Sequence, residues 1–263
     1  MVEMRLNKIY QVTWKDIKEV FSSILIFGPM FGIPLAFAVI LPVLSLYIAV
    51  HEAPSIAAAI KIPNISAALP AFKSVAFMDY FSINILGPIT MTMPIITSAV
   101  IAADSFAGEK ERKTAEALLS TPLSKTELLL GKIFASFLPA VIMAVLAFAI
   151  YGAIVNYLSF SQFHLYILPT LPWLLMLAAV PFLALAPISI VVLISSHVKG
   201  VKEAQQLTSL LVLPLLVLPF ASLLGLASLS VSFMLYLILF LAVFDFVLFY
   251  LSLAVFRRES LIS

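Results

Sequence analysis

The sequence predicts an all-α polytopic membrane protein with six transmembrane helices. A short interfacial helix precedes the first, and a short amphipathic cytoplasmic helix lies between the second and third. Three observations carry this. Hydrophobic residues make up 63% of the chain and charged residues 11%, against roughly 45–50% and about 25% in soluble domains, a balance that only a lipid solvent tolerates. Residues 20–50, 80–103, 133–198 and 204–244 carry no Asp, Glu, Lys or Arg, and about 20 apolar residues cross the hydrocarbon layer. The first two runs fit one span each and the third holds two. The last, extended past Asp245 to Phe256, holds two more. Finally, 13 of the 15 basic residues fall in four clusters: before the first span and after the second, fourth and sixth. Loop Lys and Arg stay cytoplasmic, so the chain crosses an even number of times between clusters, with both termini inside at the plasma membrane.

The elements follow in order within one transmembrane domain, 1–263. Residues 7–23 read as a helix lying in the headgroup plane. Thr13 with Asp16 resembles a capping box, and Trp14, Ile17 and Phe21 recur at helical spacing, with Lys15 and Lys18 on the other side. A solvated lead-in is the alternative. The first span, 24–50, carries Pro29, Pro34 and Pro42. An outer segment, 51–80, is long enough for a surface helix and too short for a domain. The remaining spans are 81–103, 127–157, 166–195, 207–227 and 231–256. A short inner loop, 196–206, follows the fourth, and a tight turn near Gly225–Ser230 joins the last two. Twelve of the 16 prolines fall inside spans, where freed carbonyls need other partners. The long first apolar run and the charged segment before it argue against a cleaved signal peptide. With no cysteine, disulfides, thiol catalysis and Cys-ligated metals are excluded.

Residues 105–132, SFAGEKERKTAEALLSTPLSKTELLLGK, form a charged island that cannot sit in lipid. Gly108 is expected to end the inner extension of the second span and permit a turn. Glu109 would reach Arg112 and Lys113, and Arg112 would reach Glu116, at helical spacing. Ala115, Ala117, Leu118 and Leu119 supply an apolar side, and Thr121-Pro122 stops the helix. Ser124-Lys125-Thr126-Glu127 is a capping box that starts the third span. On physics alone the segment reads equally well as a solvated loop or as a helix presented to a partner.

The string from Asp104 to Lys132, with its E-x-E-R-x-T…LL-x-T-P-x-S…E-LLLGK order, resembles the membrane subunits of type-2 ABC exporters. The helix before the first span and the six-span plan match as well. The resemblance implies that 108–121 is the coupling helix, which inserts into a groove on a separate ATPase subunit, with Glu109, Glu111, Arg112, Lys113 and Thr114 as contact residues. It further implies two permease subunits, identical or similar, enclosing a path. It places the first span at their interface, where Gly28 and Gly32 form a G-x-x-x-G pair suited to close helix packing.

The ATPase is not within these residues. A P-loop needs G-x-x-x-x-G-K-[ST], and Gly131-Lys132 lacks both the earlier glycine and the following Ser or Thr. No enzymatic activity is therefore expected of the chain and no cofactor, with ATP and Mg on the partner. Surrounding lipids are the other expected partners, and nucleic acid is not. Asp245 is the only carboxylate well inside a span, so it is read either as a pathway residue or as a neutral, hydrogen-bonded structural group. His51-Glu52 lacks a second His at i+4 for zinc. No glycine begins G-x-S, so a serine nucleophile motif is missing, and Asp245 lacks a facing carboxylate. These points weigh against an intramembrane enzyme. A secondary carrier would want several intramembrane ionisable groups. A passive scaffold remains the third rival. Nothing in the sequence names the substrate.

Overall fold

The computed structural model describes residues 6–51, 75, 78–112, 123–195, 197, 198, 200–223 and 229–255. Among them every regular element is helical, and six helices are long and apolar enough to cross a membrane. The helices are α1 (Leu6–Ser22), α2 (Ile24–His51), α3 (Met78–Gly108, prolonged by Glu109–Glu111), α4 (Lys125–Phe163), α5 (Leu171–Ile194), α6 (Val201–Ser209), α7 (Val212–Leu223) and α8 (Val231–Val255).

α3 is the central column. Of its apolar window 83% is buried, against 17% for α8. Helices α2, α4, α5, α6 and α7 pack around it, and α8 packs on α5. Lipid gives helices no hydrophobic reason to associate, so close packing and hydrogen bonds must hold them together. Both are visible. Phe148 and Tyr151 of α4 lie against Trp173 of α5 with ring centroids 4.8 and 4.9 Å apart, and the buried Tyr151 hydroxyl donates to the Ser82 carbonyl at 3.2 Å. Asn156 ties the α4–α5 connection, accepting from the amides of Ile167 and Leu168 and donating to the Leu168 carbonyl. Asn84 of α3 accepts from the Leu229 amide at 2.6 Å and so reaches the start of α8.

Helix limits differ from the sequence expectation in instructive ways. α3 does not stop at 103. It continues through a π-helical turn at Asp104–Gly108 into Glu109–Glu111, with a second π turn at Phe81–Ile85. α4 begins where expected, because the Ser124/Glu127 capping box is formed in both directions. It runs on to Phe163, where His164 adopts a left-handed conformation (φ 55°). Its 39 residues span roughly 58 Å at 1.5 Å per residue. That is about twice the hydrocarbon thickness, so its ends stand clear of the lipid tails. α5 starts at Leu171 and not at 166: Thr170 caps it through the Trp173 amide and Pro172 sits in the first turn, leaving Pro169 outside. The expected inner loop 196–206 is overturned from Val201 onward, where α6 begins and packs against α3. A short turn at Leu210–Leu211 separates α6 from α7, so the fifth span is broken. Residues 52–74, 76 and 77 of the outer segment, residues 113–122 with Thr121-Pro122, and the 225–228 part of the last turn lie outside the described residues.

Candidate functional site

At one end of the bundle, α1, the end of α3 and the start of α4 meet in a cluster of four carboxylates and three cations. α1 lies alongside the first turns of α4, and Gly131 permits the approach. A Cβ there would fall 2.6 Å from Val12 Cβ. The Thr13 hydroxyl donates to the carbonyls of Ile9 (2.9 Å) and Gly131 (3.0 Å). Thr13 is thus a mid-helix residue bridging two helices, and the expected Thr13/Asp16 capping box is not formed. The helix already begins at Leu6.

Asp16 is instead drawn into the cluster, only 5% exposed. It accepts from the Ser105 hydroxyl at 2.8 Å and lies 3.6 Å from Lys132 Nζ. Lys132 is wholly buried. Its ammonium sits 2.8 Å from Glu109 Oε2 and donates to the Ser105 carbonyl. Lys15 reaches Asp16, Glu19 and Glu109 at 3.3–3.5 Å. Burial pulls its ammonium pKa down, but the fields of Asp16, Glu109 and Glu19 outweigh this and leave it above the usual lysine value. Arg112 donates to both oxygens of Asp104 (2.8 and 3.3 Å) and lies 3.1 Å from Glu19. Its hydrogen bond to Asp104 is the main reason its pKa is raised. Lys8 and Glu127 add a looser pair at 4.0 Å.

A buried ion pair persists only when hydrogen bonds and opposite charge offset desolvation. Here Asp16, Glu109 and Lys132 each face two or more partners from other helices. The space the cluster encloses is about 10 Å³, enough for at most one water. The arrangement is a joint between helices, not a ligand pocket. Among the described residues no metal-binding group of His, Cys, Asp or Glu occurs.

The structure places the residues singled out in the sequence as follows. Glu109 is 3% exposed and held by Lys132 and Lys15. Arg112 turns back to Asp104 and Glu19, so the expected pairing of Glu109 with Arg112 on a solvated face is replaced by pairs across helices. Gly108 is helical and makes no turn. Its missing side chain leaves room for the ion pair, since a Cβ would stand 2.9 Å from Asp104 Oδ1 and 3.1 Å from an Arg112 nitrogen. Glu111 is exposed, and its Oε2 accepts from the Val201 amide at 3.0 Å, which satisfies an otherwise open donor at the start of α6. Lys113 and Thr114 lie outside the described residues. Gly28 and Gly32 lie on an exposed face of α2, with nothing within 4 Å of an added Cβ. Asp245 is 3% exposed in α8, and neither oxygen has a hydrogen-bond partner among the described residues.

Sequence reasoning missed Lys132, Asp16 and Asp104 as partners. The available signal was positional: Asp104 and Lys132 each stand at the edge of a long uncharged run, where a charge is stable only if paired or wet.

A six-span helical bundle with a buried ionic joint at one end defines a multi-pass membrane protein. The chain belongs to the ABC-2 family: the family model described as "ABC-2 family transporter protein" matches residues 14–233. It is therefore an ABC-type permease domain, and the family implies an ABC ATPase partner. No curated protein matches the chain.

Proposed function

We propose that the chain is the permease subunit of an ATP-driven exporter in the plasma membrane. It works as a homo- or heterodimer with a separate ATPase subunit that carries ATP and Mg. Both termini and the charged end of the bundle face the cytoplasm. The carrying observation is the ionic joint. The start of the coupling segment, Glu109–Arg112, is gripped by α1 through Lys15 and Glu19, by α4 through Lys132, and by α6 through Glu111. A push delivered to the residues that follow is passed to three helices besides α3 itself. In this reading Glu109 and Arg112 hold the segment in place, while Glu111, Lys113 and Thr114 face the ATPase. The bare faces of α2, including Gly28 and Gly32, meet the second permease subunit.

The test is cross-linking. The chain has no cysteine, so Lys113→Cys or Thr114→Cys provides a unique handle. Co-expressed with its ATPase, either variant should cross-link to it, and the cross-link should inhibit ATP-driven transport. A complex that assembles and transports normally, with both positions freely labelled by a bulky thiol reagent, would remove the coupling role.

A further inference from the structure

The face of α1 opposite the ionic joint borders a separate cavity of about 620 Å³, formed with α2 and α4 and open to the surroundings. The volume lies within the roughly 300–1,000 Å³ range of small-ligand sites. Its floor includes Met30, Pro139 and Met143, all buried, and its mouth is framed by Trp14, Lys18 and Phe21. Lys18 is its only charged lining residue, and the Lys18 ammonium lies 5.5 Å from the centre of the Trp14 ring. α1 contains three lysines, and they differ sharply. Lys15 contacts three carboxylates and Lys8 contacts one, whereas Lys18 has no ion pair among the described residues. An apolar trough with one uncompensated cation at its rim complements a molecule with a hydrocarbon tail and an anionic head. Trp at such a rim is typical of the headgroup level.

We propose that this groove is a binding site for an anionic phospholipid of the surrounding bilayer. One acyl chain lies between α1, α2 and α4, and the phosphate pairs with Lys18. A bound chain would complete the contact between α1 and the spans beside it. The proposal concerns the permease chain by itself and does not rest on the ATPase reading.

The test is native mass spectrometry of the full-length chain in detergent, titrated with phosphatidylglycerol or phosphatidylcholine of identical acyl chains. Wild type should retain one phosphatidylglycerol per chain in preference to phosphatidylcholine. Lys18→Gln, at an exposed position, should lower that preference roughly five-fold, the factor for one basic residue's attraction to an anionic lipid surface. Ile142→Trp, an exposed groove residue (57%), should reduce binding of both lipids while leaving Lys18 in place. Equal retention of the two lipids by wild type, or an unchanged preference in Lys18→Gln, would overturn the site. So would a lipid-free wild-type dimer that Ile142→Trp converts to monomers, which would assign the groove to a second copy of the chain. Retention that appears only during ATP turnover by the assembled complex would make the molecule cargo and equally refute a resident lipid.

Discussion

Replacing Lys132 with methionine removes the one fully buried cation of the joint while keeping a side chain of similar length. At an effective dielectric of about 20, a unit-charge pair at Glu109's 2.8 Å attracts by about 6 kcal/mol and one at Asp16's 3.6 Å by about 5 kcal/mol. Those are gross figures, opposed by desolvation of several kcal/mol per ion. The variant relieves the desolvation of the ammonium but leaves both carboxylates buried. Lys15 remains within 3.4 Å of each and compensates in part. Breaking a buried pair from one side typically costs 3–5 kcal/mol, and we expect about 3 kcal/mol here. At roughly 2–4 °C per kcal/mol for a chain of this size, thermal unfolding of the purified protein should fall by about 6–12 °C. Lys132→Met combined with Glu109→Gln should recover a good part of that loss, because the amide no longer needs a counter-ion. A double-mutant cycle should then return a coupling of at least about 1.5 kcal/mol, within the range for groups in one network. A Lys132→Met protein as stable as wild type, or strictly additive losses in the cycle, would show that the cluster contributes nothing as an ionic unit.

Gly131→Ala should destabilise the protein by about 1–3 kcal/mol, as overpacked contacts do, and expose α1 to limited proteolysis; unchanged melting and protease resistance would refute the close approach. For Lys15, the raised folded-state pKa means its stabilising contribution is fully present below the ordinary value of 10.5 and is lost as pH rises through the folded value. The melting difference between wild type and Lys15→Gln should accordingly stay constant from about pH 8 to 10 and shrink only at higher pH, consistent with the linkage sign for a group whose pKa is raised by folding. Asp245→Asn should preserve insertion and assembly, and a pathway role requires that it alter transport or its pH profile; identical transport across pH would make the residue structural. Single cysteines at Lys8, Glu111, Lys202 and Glu259 should react with an impermeant reagent only from the cytoplasmic side, and those at Ala67 and Gln162 only from outside, with outside labelling at Glu111 contradicting the proposed orientation.

The contrast between the two capping-box patterns shows which information was local. Ser124 and Glu127 satisfy each other within three residues, so the start of α4 could be read directly. Thr13 and Asp16 offer the same spacing, but instead of each other they engage Gly131, Ser105 and Lys132, across 118 and 89 residues for the two hydrogen bonds. Tertiary contact overrode the local pattern. Glu109 tells the same story: its neighbours in sequence suggested a solvated charged helix, and its neighbours in space are two lysines from α1 and α4. Span number followed from the lengths of the uncharged runs and the placement of the basic clusters. Span ends did not, because a helix that leaves the lipid continues as long as other helices support it, as α4 does to Phe163 and α6 does from Val201.

The π turn at Asp104–Gly108 fixes the angular phase between the apolar column and the charged segment that follows. Each residue of an α-helix advances the chain by about 100°, and a π turn accommodates roughly one residue more than an α turn without breaking the helix. Winding the same residues at α-helical pitch, with none removed, would swing Glu109 and Arg112 around the axis by roughly that angle, away from Lys132 and Asp104, whereas removing one residue as the turn became α-helical would leave them nearly in phase. A residue inserted there, with no further π turn to absorb it, would swing them by about 100°. The turn therefore holds the charged segment in register with the column above it, and what it sets is direction more than length.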